Sequence, residues 1–291
     1  MFRRFAHADA AGTAGSCRCC NLPPLFSALL KMRVLLSIAA LCLVAGFAGD
    51  LDAAESCPAA HAHNDYLHER PLLDALEQGF CSVEADVFVV DGRLLVAHDR
   101  KDLTDSRTLK SLYLEPLRDR LRSHNGKVHT DASQFTLLID FKTEGQTTYA
   151  ALRGLLAEYR ELFTATTEDG LPPVSVVISG NRPFAQIEAD TDRLCGLDGR
   201  LSDLDSTMPA DLMPMISDNW RSHFKWRGEG PMPAAEQAKL SDVVHRAHAA
   251  GRRVRFWATP ENEVLWAQLS AAGVDHINTD QLKQLRQFLT R

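Results

Sequence analysis

From Ala59 onward, short apolar runs of strand length alternate with segments in which apolar residues recur at helical spacing. The run FTLLIDF at 135–141 is almost continuously apolar, as expected of a strand that is covered on both faces. Alternation of this kind predicts parallel β-α-β units. We count about eight such units, which predicts an α/β fold of the closed TIM (β/α)8 barrel type rather than an open sheet.

Periodicity and the positions of Gly and Pro set the expected bounds of these elements. The predicted strands are 59–64, the run that begins at 81, 93–97, 135–141, 174–179, 199–202, 213–217, 253–258 and 274–278. The predicted helices are 71–78, 108–124 with a kink at Pro116, 149–162, 234–250, 261–272 and 281–289.

The strand that begins at 81 carries an unusual pair of acids. In the run CSVEADV, Glu84 and Asp86 are two residues apart and therefore share one face of the strand, while valine and alanine side chains occupy the other. An Asp-Gly pair then predicts a tight turn, after which a short extended run leads to His98. Two carboxylates presented together in an apolar context predict a site for a hard divalent cation.

Polar side chains lie at or just past the carboxyl end of most predicted strands, and this is the end at which barrel enzymes build their active sites. These residues are His61, His63, Glu84, Asp86, Asp140, Lys142, Ser179, Asn181, Asp218, Asn219, Trp257 and Asp280.

The residue types at these strand ends predict a metal site. Glu84, Asp86 and Asp140 supply carboxylate oxygens, which suit Ca²⁺ or Mg²⁺, whereas zinc would favour His or Cys ligands. The alternative is that Glu84 and Asp86 pair with arginines or cap a loop.

The remaining polar residues predict acid–base chemistry on an anionic substrate. His63 and His98 are expected to flank the metal and to act as general acid and general base, since imidazole titrates near neutral pH. Lys142 lies on the same side of its strand as Asp140 and is a candidate contact for an anionic oxygen. A metal, a lysine and two histidines around one cavity predict phosphodiester cleavage. Trp220 and Trp257 are candidates for the pocket mouth.

These motifs resemble a known group of enzymes. A histidine on the first strand, then E-x-D, then DG…HD, then an acid followed by x-K is similar to the glycerophosphodiester phosphodiesterases and, more broadly, to the PLC-like phosphodiesterase superfamily of TIM barrels. The segments HAHNDY and IDFK resemble the branch related to Altered inheritance of mitochondria protein 6. The resemblance covers roughly 59–280.

The resemblance implies that Glu84, Asp86 and Asp140 are metal ligands, that His63 and His98 are the acid–base pair, and that Lys142 contacts phosphate. Asn64 and Trp257 are the further candidates for substrate contacts. The motif HRG that is usual in glycerophosphodiesterases is HND here, so Asn64 replaces a phosphate-contacting arginine, and the P-E-N-T that usually follows is missing. The resemblance therefore implies a small-molecule or lipid phosphodiester substrate without specifying its head group.

The N-terminal region predicts export. Lys31, Met32 and Arg33 precede an apolar run at 34–48 with small residues beyond it, which is typical of a secretory signal and is short for a membrane span. We expect 32–54 to be a signal peptide, 1–31 to be a leader in front of a true start at Met32, and 55–291 to be a single periplasmic or secreted barrel domain.

Charge and cysteine content narrow the remaining possibilities. The formal net charge is −6 and no basic stripe is present, which argues against a nucleic-acid partner. The cysteines beyond the signal are Cys57, Cys81 and Cys195. They predict either a Cys57–Cys81 disulfide or three small buried thiols, and their spacing fits no zinc site.

Two other functions compete with phosphodiester cleavage. The H-x-H at 61–63 and an aspartate on the last strand, Asp280, are also typical of amidohydrolase-type metallohydrolases. Those enzymes need further histidine ligands at the ends of the middle strands, where this sequence has serines. A barrel that binds a phosphorylated ligand without turnover is the second alternative. This alternative predicts that the sequence lacks a residue for at least one catalytic role, and every role has a candidate residue.

Overall fold

The computed structural model describes residues 55–131, 134–167 and 170–291, all of which belong to one compact unit. The expected leader at 1–31 and signal segment at 32–54 lie outside the described residues. Within the described part of the chain, eight parallel strands close into a barrel and a ninth forms a hairpin on its wall.

The strands follow the predicted order. They are β1 Cys57–Ala62, β2 Phe80–Val90, β3 Arg93–Val96, β4 Phe135–Phe141, β5 Val174–Gly180, β6 Gly196–Gly199, β7 Met215–Asn219, β8 Arg253–Trp257 and β9 His276–Thr279. β1 pairs with both β9 and β2, which closes the sheet, and β3 turns back antiparallel to β2 through Asp91 and Gly92, both with positive φ. The predicted TIM barrel is confirmed.

Helices connect most of the strands. They are α1 Leu73–Glu77, α2 Glu115–Ser123, α3 Gly145–Ala157, α4 Glu161–Thr164, α5 Phe184–Ala189, α6 Trp220–His223, α7 Ala234–Ala249, α8 Glu263–Ala272 and α9 Leu282–Leu289. The predicted helix 108–124 is π-helical over Lys110–Leu114 and α-helical from Glu115, so its hydrogen-bonding pattern changes directly before Pro116, and the kink there stays a prediction. Among the described residues, no helix combines the length and apolarity that a membrane crossing requires.

Alternation along the strands separates two environments. Val83, Ala85 and Val87 of β2 join the apolar layer that packs between the barrel wall and the helices. The opposite face of β2 points into the barrel, where Glu84 meets Arg255 of β8. The barrel interior is therefore unusually polar, and each charge in it needs a partner.

The bounds of strand β6 differ from those that strand propensity predicted. We expected 199–202, but the strand is Gly196–Gly199, sequence GLDG, and Ser202 lies in a short 3-10 turn. The glycines are required by packing, because a Cβ on Gly199 would come within 2.7 Å of the Ile216 side chain. Packing thus overrides the low strand propensity of glycine, and Arg200 rather than Ser202 follows the strand.

Two further expectations are corrected by the tertiary contacts. Cys57, Cys81 and Cys195 are free, buried thiols, so the Cys57–Cys81 disulfide is wrong and the alternative of three buried thiols is confirmed. Trp220 is fully buried and stacks on Phe224 with ring centroids 4.0 Å apart, so it belongs to the core rather than the pocket mouth.

We predict that Arg252→Met lowers the free energy of unfolding by about 3 kcal/mol. Arg252 is buried and donates to the carbonyl oxygens of Asp203, Ser206 and Met208 at 2.7–2.9 Å, so its loss leaves three half-buried carbonyls of the loop after β6 without this donor. Urea unfolding measures the change.

Arg246→Met is the matched control for this loop. Arg246 pairs with Asp205 of the same loop at the surface, where ion pairs contribute little, and we expect a far smaller loss. Equal destabilisation by the two variants would contradict the assignment of Arg252.

Candidate active site

A cavity of about 150 Å³ opens at the carboxyl ends of the barrel strands. It contains every residue for which the sequence predicted a catalytic, metal-binding or substrate-binding role. The lining residues are His63, Asn64, Glu84, Asp86, His98, Asp140, Lys142, Ser179, Arg200, Arg255 and Trp257.

Strand register sets the floor of this cavity. Asp86 of β2 is aligned with Asp140 of β4, and Asp140 is aligned with Ser179 of β5. The Ser179 hydroxyl in turn donates to Asp198 of β6 at 2.8 Å. Because side chains of one face repeat every second residue, four neighbouring strands each place a polar group at one level of the barrel.

Three carboxylates that line this cavity could hold a metal ion. One oxygen from each of Glu84, Asp86 and Asp140 lies within 4.8 Å of the other two. Asp86 Oδ1 is buried and has no hydrogen-bond partner among the described residues, as expected of an atom that a cation would coordinate. Three carboxylates and no sulfur or imidazole form a donor set for a hard cation, so the residues fit such an ion.

Glu84 is held in the charged state by its neighbours. It accepts hydrogen bonds from Arg255, a buried residue of β8, and from His61, whose Nε2 lies 3.4 Å from Oε2. Burial alone would raise the pKa of Glu84, but the Arg255 charge and the His61 hydrogen bond hold that pKa well below its usual range. The expected pairing with an arginine thus exists alongside the metal-compatible cluster.

His61 is a support for Glu84 rather than a pocket residue. It is fully buried, its Nδ1 lies 2.7 Å from Ser82 Oγ, and burial together with the Arg255 charge lowers its pKa to about 3. His61 is therefore neutral, accepting from Ser82 and donating to Glu84.

Lys142 bridges the other two carboxylates. Its Nζ lies 2.9 Å from Asp86 Oδ2 and 3.0 Å from Asp140 Oδ1. Burial and the negative charge of Glu84 raise the pKa of Asp86 to about 6, although Lys142 opposes that shift. Burial lowers the pKa of Lys142, but the two carboxylates more than offset it, so its net pKa is raised and the amine is charged.

His63 is oriented from the rim of the cavity. Its Nδ1 lies 2.8 Å from Asp280 Oδ1 and 2.9 Å from the Asn64 amide. Burial lowers the pKa of His63, but the Asp280 hydrogen bond and the charge of Glu84 outweigh burial and raise it above the usual value. Asp280 thus favours the imidazolium and leaves Nε2 as the free nitrogen.

His98 is oriented by Asp86 and Tyr66. Its Nδ1 lies 3.3 Å from Asp86 Oδ2 and 3.1 Å from the Tyr66 hydroxyl, which is itself 2.7 Å from Asp86. A proton on Nδ1 is shared with these two groups, so Nε2 of His98 is the nitrogen free to exchange a proton. Tyr66 also lies 2.7 Å from Asn64 Oδ1, which links both histidines through one network.

Two arginines that line the cavity, Arg200 and Arg255, were not predicted. Arg200 donates to Asp198 at 2.6 Å and to Ser179 at 3.1 Å, and its guanidinium lies 4.8 Å from the ring centroid of Trp257. Arg200 was not predicted as a site residue because the predicted bounds of β6 lie three residues C-terminal to the observed ones. Arg255 could have been found, because the alternation R-V-R-F-W puts it on the same strand face as Trp257.

The other polar strand-end residues lie outside the cavity. Asn181 donates to a loop carbonyl, Asn219 caps α6, and Asp218 pairs with His223 at 3.1 Å. Asp280 reaches the site through His63. His248 pairs with Asp275 on the outside of the barrel.

Comparisons with known proteins find matches to two phosphodiesterase families. Residues 52–195 match the AIM6-like phosphodiesterase domain, and 253–283 match the glycerophosphoryl diester phosphodiesterase family. The chain is 30% identical to Altered inheritance of mitochondria protein 6 of Eremothecium gossypii, over 78% of this chain and 68% of that protein. It is 29% identical to a homologue in Arthroderma benhamiae, over 78% and 82% of the two chains.

Solved structures show the same fold. A glycerophosphodiester phosphodiesterase from Parabacteroides distasonis matches with a TM-score of 0.50 and 15% identity, covering 81% of this chain and 98% of that one. A glycerophosphodiester phosphodiesterase from Agrobacterium tumefaciens matches with a TM-score of 0.50 and 16% identity, covering 81% and 100%.

We predict that Mg²⁺ or Ca²⁺ raises the melting temperature of the wild-type protein and not that of Asp140→Asn. An ion that binds only the folded state stabilises it by about 2.7 kcal/mol at a hundred times its dissociation constant, and Asp140→Asn removes one of three ligands. A thermal melt with and without chelator measures the shift.

Asp280→Asn serves as the control for this measurement. Asp280 is a carboxylate at the same rim but outside the cluster, so its variant should keep the ion-dependent shift. An undiminished shift in Asp140→Asn would refute the metal site.

Proposed function

The chain belongs to the family of Altered inheritance of mitochondria protein 6 and its homologues, and we propose that it is a metal-dependent phosphoric diester hydrolase. The observation that carries this proposal is the cluster of Glu84, Asp86 and Asp140, which lines one cavity together with His63 and His98. Metal ligands, proton carriers and a fixed cation are the parts that phosphodiester cleavage needs.

A divalent cation bound by the three carboxylates would supply positive charge that stabilises the phosphoryl oxygens in the transition state. The donor set is compatible with either Ca²⁺ or Mg²⁺. Lys142 lies against two of these carboxylates and adds a fixed positive charge on the side of the cavity formed by β4.

The histidines divide the proton transfers. His63, which Asp280 favours as the imidazolium, donates a proton to the leaving oxygen through Nε2. His98, whose Nδ1 is held by Asp86 and Tyr66, accepts the proton of the nucleophile at Nε2. The nucleophile is either water or a neighbouring hydroxyl of the substrate, and the second gives a cyclic phosphate.

The substrate we propose is a glycerophosphodiester-like or phosphoinositide-like molecule, either a small molecule or a lipid. Asn64, a predicted substrate contact, has its amide engaged with Tyr66 and beside His63, so it orients these residues rather than an incoming phosphate. Trp257 lines the cavity and remains the candidate for contact with the substrate's organic part. We further propose that the enzyme is exported, on the sequence pattern at 32–54 alone.

The alternatives have less support. An amidohydrolase needs imidazole ligands, but the metal-compatible group found among the described residues is all carboxylate, and His61 is buried against Ser82 and Glu84. Binding without turnover is disfavoured because both proton carriers lie in the cavity with a free nitrogen.

We predict that the protein with Mg²⁺ or Ca²⁺ hydrolyses bis-para-nitrophenyl phosphate and that His98→Ala lowers kcat at least about a hundredfold, the usual contribution of a positioned general base. Release of nitrophenol measures the rate. His245→Ala is the control, because His245 is exposed on α7, away from the cavity, and its variant should keep full activity. Wild-type protein that is loaded with metal and inactive on every phosphodiester tried would overturn the proposal.

We predict that Asp140→Ala abolishes hydrolysis while the fold survives, whereas Glu84→Ala also destabilises the fold. Removing Glu84 leaves the buried Arg255 without a carboxylate partner, which typically costs about 3–5 kcal/mol. Circular dichroism with urea unfolding separates the two effects, and Glu84→Gln is the milder variant. Full activity in Asp140→Ala would contradict the metal assignment.

A screen of glycerophosphodiesters, phosphatidylinositol and sphingomyelin, with product analysis by phosphorus NMR, identifies the head group. A cyclic product indicates attack by a substrate hydroxyl, and an open phosphomonoester indicates attack by water.

A further inference from the structure

Arg200 is a charged residue of the cavity that the proposed mechanism does not use. It follows β6 directly and lines the cavity together with Lys142 and Trp257. About a fifth of its side chain is exposed (22%), so the guanidinium is accessible from the cavity and is not sealed in the core.

The guanidinium is held on three sides. Nη1 donates to Asp198 Oδ2 at 2.6 Å, Nη2 donates to Ser179 Oγ at 3.1 Å, and the Trp257 ring lies 4.8 Å away. Asp198 is itself fully buried and accepts from Ser217 at 2.5 Å. A guanidinium fixed in this way has lost its rotamer freedom before any ligand arrives, which lowers the cost of binding one.

Two of its N–H groups are left for a ligand. Among the described residues, neither Nε nor the second proton of Nη2 has a hydrogen-bond partner, while Nη1 is used by Asp198 and the strand carbonyls. Nε and Nη2 form one edge of the guanidinium, and this edge matches two oxygens of a phosphate group.

Its position complements that of Lys142. Asp140 of β4 and Ser179 of β5 are aligned, and Ser179 is bonded to Asp198 of β6. Lys142 comes two residues after Asp140 of β4, and Arg200 comes two residues after Asp198 of β6. Both therefore lie on the face that carries these carboxylates, with β5 between their strands. The Asn64 amide, in contrast, is engaged with Tyr66 and His63.

We propose that Arg200 binds non-bridging oxygens of the substrate's phosphoryl group through its Nε–Nη2 edge, and that Trp257 positions it. This inference rests on the proposed phosphodiesterase function. Arg200 is then the residue whose guanidinium contacts the phosphoryl group. Trp257 has two roles, because its ring positions Arg200 and also contacts the organic part of the substrate.

The test uses metal-loaded, full-length protein and Arg200→Lys. Lysine keeps the charge beside Asp198 but loses the two-pronged edge, so the fold should survive. We expect inorganic phosphate to bind about tenfold more weakly by calorimetry. With bis-para-nitrophenyl phosphate we expect KM to rise by about the same factor, while the melting temperature and its ion-dependent shift stay unchanged.

Arg193→Lys is the matched control. Arg193 precedes β6, has a similarly exposed side chain (21%) and pairs with one carboxylate, Asp211, away from the cavity. Its variant should retain wild-type phosphate affinity and KM.

The outcomes separate the two proposals. Wild-type turnover with unchanged KM and phosphate affinity in Arg200→Lys overturns the role of Arg200 and leaves the phosphodiesterase function intact. Absence of wild-type turnover defeats the function, and the phosphate measurement then decides Arg200 alone. A lowered melting temperature with unchanged phosphate affinity would show a purely structural role and would also overturn the inference.

Discussion

The constraint on which this site depends is the placement of three carboxylates in one small, largely buried volume. Like charges at this distance repel one another, and burial adds the cost of removing each from water. The chain compensates with cations from two directions. Arg255 reaches across the barrel interior to Glu84, and Lys142 bridges Asp86 and Asp140. The cluster is therefore assembled in advance, with one buried oxygen of Asp86 left unsatisfied.

A second polar network continues from the first around the barrel. Ser179 of β5 and Asp198 of β6 lie at the same level of the barrel as Asp140 and are hydrogen-bonded to each other. Arg200 pairs with Asp198, and its guanidinium lies against the Trp257 ring. Side chains in such networks are restrained by several partners at once, so the groups that face the cavity are fixed before a ligand binds. The closed barrel makes this possible, because parallel strands deliver all their carboxyl ends to one mouth.

Much of the architecture was predictable because strand and helix periodicity are local properties. β4 was located at its observed bounds, and the pairing of Glu84 with Asp86 on one face followed from the two-residue repeat. β6 was missed because its GLDG sequence lacks strand propensity and is specified by packing against Ile216 and a neighbouring proline. Because the bounds of β6 were wrong, Arg200 was not predicted to follow a strand end.

The sequence by itself determined which groups are presented at the barrel mouth, since alternation, strand ends and turn residues are written in short segments. The metal-compatible acids, both cavity histidines and Lys142 were all identified in this way. Only the tertiary structure decided how these groups are paired: Arg255 with Glu84, Asp280 with His63, and Tyr66 with Asp86. Such pairs join residues of different strands and loops, up to 217 positions apart. Barrel closure brings them together, and no local pattern of the chain encodes that distance.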